Sequence, residues 1–255
     1  MNAEQTPGMS QLPETPWDAL GPIIRERVLI EEQTFIIARP DESDRLLDHP
    51  FVRSAFSADE YLPYWVELWP AARMLAKAIL REPWTPGTEV LEIGCGLGLP
   101  GIVALSKGLR VTFSDYDATA LRFAADNARL NGFHDFCLLQ MDWRNPPTDL
   151  CVPVLLASDL IYEQRNVEPV VALIKRVLAP DGLCLLTDQD RIPSAALRVN
   201  LIAQGLEFTT QTARAGEPGG RRVKGTLYRI RSSACCGRAP AEPTPPPGRV
   251  TSEHG

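Results

Sequence analysis

The stretch VLEIGCGLGLPG at residues 90–101 limits this chain to a small set of folds. An apolar run carrying one acid, Glu92, gives way to Gly94, Gly96, Gly98, Pro100 and Gly101. Turns of this kind join a buried strand to a helix where backbone must come close to a ligand. Downstream of it, strand-length apolar runs alternate with stretches of helical period. The pattern predicts strands at 89–93, 110–114, 136–140, 152–158, 183–187, 206–212 and 225–231, and helices at 68–82, 99–107, 118–131, 167–178 and 195–204. Asn131-Gly132, Pro180-Asp181-Gly182 and Gly205 supply the helix stops. Such alternation predicts an α/β fold, a mostly parallel seven-stranded sheet with helices on both faces. The last two strands, joined by the turn-rich AGEPGGRR, are expected as an antiparallel hairpin closing one edge. RVLIEEQTFIIARP at 27–40 predicts a separate N-terminal β-hairpin, followed by a connection at 41–50.

With 255 residues and no repeat or internal linker, one domain is expected over 23–231. Residues 1–22, polar and Pro-containing, read as a flexible N-terminus. Residues 232–255, Pro-rich and poor in large apolar groups, read as a disordered tail. The first residues lack the basic and apolar regions of a signal peptide, and no apolar run has the length of a membrane span. The six cysteines have no metal-ligand spacing. Cys95, Cys137, Cys151 and Cys184 lie in or beside apolar segments, and Cys235-Cys236 falls in the tail. These features predict a cytoplasmic, reduced protein. A net charge of -6, with a single short basic cluster at Arg221, Arg222 and Lys224, argues against a nucleic-acid substrate.

Two ligands suit the glycine-rich turn. From Gly96 the sequence GLGLPG matches the dinucleotide pattern GxGxxG. From Glu92 it reads ExGxGxG, the first motif of S-adenosylmethionine methyltransferases. Either ligand asks for an acid after the second strand to hold ribose hydroxyls, and Asp115 is in that place. Asp142 and Trp143, just past the third strand, fall where an adenine would lie. Glu92, Asp115, Asp142 and Asp159 at successive strand ends predict an acidic site, which suits a sulfonium cation better than a pyrophosphate. S-adenosylmethionine is therefore the expected cofactor. NAD chemistry also lacks a placed His or a Tyr–Lys pair.

Four blocks go further: PYWVELWP at 63–70, VLEIGCGLGLPGI at 90–102, LQMDW at 139–143 and ASDLIY at 157–162. With them the chain resembles the seven-β-strand lysine methyltransferases of methyltransferase family 16, which include the electron-transfer flavoprotein β-subunit group. The resemblance runs from about Tyr61 to Asp188. It implies a Rossmann-like class I fold and methyl transfer to a lysine of a protein substrate. It also implies roles: Trp69 against the cofactor, Glu92, Gly94, Cys95 and Gly96 as the methionine-side loop, and Asp115 on ribose. Asp142 and Trp143 would flank adenine, and Ser158 would touch the cofactor through its backbone. Asp159 and Tyr162, matching the family's D-x-x-Y, would face the methyl group and the acceptor. The chain departs from many relatives of the flavoprotein enzyme at Pro70-Ala71-Ala72, where they carry Gly-Gly.

Each assignment has a plainer counterpart. Asp159 is also a typical strand-end cap, Tyr162 a packing residue, and Trp69 and Trp143 core aromatics. Tyr64 and Glu67 read equally as cleft residues or solvated ones. Asp117 reads as a helix cap, and His134 as a loop residue. A small-molecule amine methyltransferase fits the same fold. So does a non-catalytic interaction module whose PTPPPGR segment docks a partner. No membrane partner is expected.

Overall fold

The computed structural model describes residues 13–41, 46, 48–216 and 222–232, with the backbone alone at 58 and 59. The first part of the expected N-terminal segment, parts of the 41–50 connection, Arg221, Cys235-Cys236 and the Pro-rich tail beyond Ser232 lie outside the described residues.

A hairpin leads the fold: β1 (Ile23–Ile30) and β2 (Gln33–Pro40) pair antiparallel around Glu31-Glu32. Helix α1 (Pro50–Asp59) follows, then α2 (Pro70–Arg81). The main sheet then builds by alternation. Its first half runs β3 (Glu89–Ile93), α3 (Leu99–Ser106), β4 (Arg110–Asp115), α4 (Ala118–Leu130) and β5 (Cys137–Gln140). The second half runs β6 (Val152–Ser158), α5 (Gln164–Val177), β7 (Leu178–Asp188), α6 (Ser194–Ala203), β8 (Leu206–Ala215) and β9 (Val223–Ser232). Strand order is β5-β4-β3-β6-β7-β9-β8, parallel except for β9, which pairs antiparallel with β7 and β8.

Period-two alternation divides the core. Val90, Val154, Leu156 and Leu185 face α2, α3 and α4. Leu91, Ile93, Leu155, Ala157 and Leu186 face α5 and α6. Burial on both faces is why these strands read as unbroken apolar runs. At Gly101, in the first turn of α3, an added Cβ would lie 2.3 Å from Phe113 Cε1 and 2.5 Å from Glu92 Oε2. Gly101→Ala is expected to cost about 2–3 kcal/mol, the scale of overpacking a filled core. Urea denaturation measures it, and a change below about 0.5 kcal/mol would contradict this packing.

The hairpin docks on α4 through two asparagines one helical turn apart. Ala38 N–H donates to Asn127 Oδ1 at 2.7 Å, and Asn127 Nδ2 returns a bond to Ala38 O. Asn131 makes the same pair with Ile36. Asn127 Nδ2 also reaches Leu97 O in the glycine-rich turn at 3.0 Å.

Three elements differ from expectation. Residues 13–22, expected to be flexible, pack on the domain. Leu20 is fully buried, Trp17 stacks on Phe123, and Thr15 bonds Asp117. Helix α1 has no counterpart in the sequence reading; its cap is the unusual His49, whose Nδ1 accepts from Phe51 N–H. β7 begins at Leu178, ahead of the expected strand, because Leu178 already pairs with Val152. Pro180-Asp181-Gly182 is then absorbed as a bulge, with Asp181 at a φ of 60°. Among the described residues no helix is long and apolar enough to cross a membrane.

Candidate active site

The chain steps from β3 outward through β4 to β5, then returns to the other side of β3 as β6. In open α/β sheets a ligand crevice opens at such a reversal, beyond the carboxyl ends of the strands. A cavity of about 560 Å³ lies there.

It is lined by Trp69, Gly94, Cys95, Gly96, Asp115, Asp142, Trp143, Ser158, Asp159 and Tyr162, so ten of the eleven expected site residues meet in one place. Glu92 is the exception. Strand alternation puts it on the Val90 face, under α3, where Oε2 accepts from Gly101 N–H at 2.9 Å. It is 1% exposed, and burial pushes its carboxyl well above the usual range. Glu92 anchors the helix behind the glycine-rich turn and does not line the cavity.

The turn itself takes left-handed backbone, with φ 57° at Gly94 and 51° at Gly96. Asp115, at the end of β4, holds it in shape: Oδ2 accepts from Gly96 N–H at 2.8 Å and Oδ1 from Asp117 N–H at 3.1 Å. Burial raises the Asp115 pKa to about 6, against the lowering effect of those donors. Beyond β5, both Asp142 oxygens are taken by Arg144 Nε at 2.9 Å, and the Arg144 guanidinium lies 5.6 Å from the Tyr116 ring centre.

Asp159 follows β6 with a φ of 57° and 8% exposure. Its Oδ2 accepts from Gln189 Nε2 at 2.6 Å and from Arg191 Nη2 at 3.1 Å. Burial lifts its pKa to about 6, with Arg191 opposing. Trp69, the cap residue of α2, donates its indole N–H to Tyr64 O at 2.8 Å, and Arg191 covers its ring at 5.4 Å. Tyr162 meets Tyr64 edge-on at 5.0 Å, and burial with Glu163 nearby pushes its pKa to about 12.

A strap from Glu60 to Val66 crosses the cavity. Tyr61 hydroxyl and Trp65 indole both donate to Asp117 Oδ2. Glu60 pairs with Arg165, which also pairs with Glu163. The sequence reading leaves Tyr64 and Glu67 equally as cleft residues or solvated ones, and both line the cavity. It passed over Tyr61, Trp65, Tyr116, Arg144, Arg165, Gln189 and Arg191. The rule that selected Asp159, polar groups just past a strand's carboxyl end, would have found Gln189 and Arg191 after β7. The acids at the strand ends are partly neutralised: six carboxylates line the cavity beside three arginines, which pair with Asp142, Asp159, Glu60 and Glu163.

Comparison with known proteins adds a second line of observation. The sequence model of a family described as lysine methyltransferase matches residues 65–201. The chain is similar to the protein-lysine N-methyltransferase rrg1 of Schizosaccharomyces pombe, at 28% identity over 182 residues, 64% of this chain and 58% of that protein. It is similar to the histone-arginine methyltransferase METTL23 of Rattus norvegicus, at 30% identity over 121 residues, 45% of this chain and 54% of that protein. The chain spans about half the length of the curated relatives it matches. Among solved structures, the ribosomal protein L11 methylase of Lactobacillus delbrueckii subsp. bulgaricus shares the fold, with a TM-score of 0.51 at 20% identity, covering 64% of this chain and 79% of that one.

Proposed function

The chain belongs to the lysine methyltransferase family, and from that premise we propose that it transfers a methyl group from S-adenosylmethionine to a lysine amine of a protein substrate. The observation that carries this reading is the convergence of the glycine-rich turn, Asp115 and Asp159 on one cavity. The cavity has the size of small-ligand sites. The left-handed glycines bring bare backbone to its wall, and a carboxylate stands where ribose hydroxyls would donate. These residues fit S-adenosylmethionine. They fit a dinucleotide less well, because the surplus of carboxylates in the lining favours a cation over a pyrophosphate.

In this reading Gly94, Cys95 and Gly96 hold the methionine side, Asp115 the ribose, and Trp143 and Tyr116 the region of the adenine. Asp142, bound on both oxygens by Arg144, acts there as part of an ion pair. Trp69 and the backbone of Ser158 border the sulfonium. Asp159 and Tyr162 shape the acceptor end. Bound S-adenosylmethionine supplies an electrophilic methyl group. The chain contributes orientation and the exclusion of water, which together account for much of the rate in such displacements. Asp159 positions the acceptor nitrogen, Tyr162 with Tyr64 narrows the channel, and the strap covers the site. Relatives named for lysine and arginine methylation support a protein substrate.

Calorimetric titration with S-adenosylmethionine, S-adenosylhomocysteine and NAD tests the cofactor. The two adenosyl ligands are expected to bind and NAD is not; tight NAD binding would overturn the reading. Labelled-methyl transfer to lysate proteins tests the acceptor end. Asp159→Ala is expected to lower transfer about 30-fold, the scale of one charge-assisted hydrogen bond of about 2 kcal/mol. S-adenosylhomocysteine affinity should stay within about threefold. Full transfer by this variant would remove Asp159 from the acceptor site.

A further inference from the structure

The two oxygens of Asp159 are not equivalent. Oδ2 accepts from Gln189 and Arg191, whereas Oδ1 is buried and meets no donor. A buried oxygen left without a donor is destabilising. The carboxylate lines the cavity, and an N–H of a bound ligand would supply the donor that this atom lacks. We propose that Oδ1 receives an N–H of the acceptor amine in its neutral form, and that Arg191, bound to Oδ2, is the positioning residue that keeps the amine from entering as an ammonium. This rests on the methyltransferase reading and deepens it by naming the form in which the acceptor is bound.

The physical problem is one of sign. A lone buried carboxylate holds an ammonium and stabilises the proton that must leave before nitrogen has a lone pair. Arg191 removes that difficulty. The Asp159–Arg191 pair has no net charge, so an ammonium would lose its water without finding an unpaired counter-charge. A guanidinium does not deprotonate in proteins, so the pair keeps this balance wherever Asp159 is ionised, above about pH 6. Arg191 also covers the Trp69 ring, the aromatic face that would otherwise attract a cation. Oδ1 is left able to accept a hydrogen bond from a neutral amine, whose proton has gone to bulk water.

Neighbouring charges agree with this balance. Asp188, at the end of β7, is held by Ser194 and by Asp190 N–H, and burial raises its pKa. Across the cavity Glu163 pairs with Arg165, and Tyr64 and Tyr162 both have raised pKa values and stay neutral. Glu67 also lines the cleft. The loop bearing Arg191 is fixed on either flank. Thr226 Oγ1 donates to Asp190 Oδ1 at 2.6 Å, and Ser194 N–H donates to Arg191 O at 3.0 Å.

The test uses n-butylamine, an analogue of the lysine side chain with a pKa of roughly 10.4 or slightly above. It is titrated calorimetrically into the full chain between pH 7 and 10, with and without S-adenosylhomocysteine. Wild type is expected to bind more tightly as pH rises, about tenfold per unit, because the free amine is the bound form. Arg191→Met should lose that rise and bind the ammonium as well at pH 7 as at pH 9, with unchanged S-adenosylhomocysteine affinity. Arg191→Lys should keep the wild-type profile at pH 7 to 9. A flat profile in wild type, the same rise in Arg191→Met, or no amine binding by either form would overturn the inference. A rising amine profile in a protein that does not bind S-adenosylhomocysteine would overturn the proposed function and leave only a neutral-amine site at Asp159 and Arg191.

Discussion

Asp115→Ala is expected to weaken S-adenosylhomocysteine binding by two to four orders of magnitude while leaving the protein folded. In the proposed complex the carboxylate accepts from ribose hydroxyls, and hydrogen bonds to a charged group are worth about 1.5–3 kcal/mol each. The substitution also releases Gly96 N–H and Asp117 N–H, so the glycine-rich turn loses its tie. Removing a buried charge acts in the opposite direction on stability. The Asp115 pKa of about 6 lies above the unfolded value near 4. The folded state therefore holds a proton that the unfolded chain releases. The stability this contributes is fully present below about pH 4 and is lost as pH rises to about 6. At neutral pH the charged group is a net cost of about 3 kcal/mol with its two backbone hydrogen bonds already included, and removing it compensates for the loosened turn. The melting temperature should thus change little while affinity collapses. In wild type the affinity should fall as pH drops below 6, by up to tenfold per unit, because a protonated carboxyl accepts ribose hydroxyls poorly. Calorimetry at pH 5, 6 and 7 reads this. An Asp115→Ala protein binding within fivefold of wild type would move the ribose elsewhere.

Asp117→Ala should produce the largest loss of stability, about 3–5 kcal/mol. This fully buried carboxylate receives five donors: Thr15 N–H and hydroxyl, Tyr61 hydroxyl, Trp65 indole N–H and Thr119 N–H. Thr119 N–H alone is a helix cap, worth about 1 kcal/mol. The others belong to the N-terminal segment and to the strap, so alanine strands donors from two separated stretches. Urea denaturation should show the fall, and limited proteolysis should cut earlier within residues 13–22. Asp117→Asn should recover part of it by keeping an acceptor oxygen. A loss below about 1 kcal/mol in the alanine variant would mean that water satisfies these donors.

Asp117 also marks where sequence reading stops. Its capping role is local, two residues to Thr119, and the sequence shows it. Its bonds to Thr15 and Tyr61 span 102 and 56 residues, and no periodicity encodes them. The alternation of strands and helices was legible because both sheet faces are buried, which forces long apolar runs. The site acids were legible because parallel strands end on the same side. Glu92 was legible as a motif residue but not in its direction, since one step along a strand reverses the face. Arg191 obeys the same strand-end rule, but its pairing with Asp159, 32 residues away beyond the end of β6, has no local pattern. Residues 13–22 look polar and loose, but Leu20 and Trp17 are enough to dock them.

The asparagines of α4 have a consequence for how this molecule meets copies of itself. A two-stranded hairpin exposes unpaired main-chain groups that invite another chain to add a strand. Asn127 and Asn131 present amide groups to Ala38 and Ile36 as a third strand would. The β2 margin is thereby closed to intermolecular pairing. In the main sheet, β5 ends one side with only four residues. β8, ten residues long and mostly polar and exposed, and the outer side of the eight-residue β1 have no strand beside them among the described strands. Two asparagine side chains thus act against self-association, and one of them also holds Leu97 O of the glycine-rich turn.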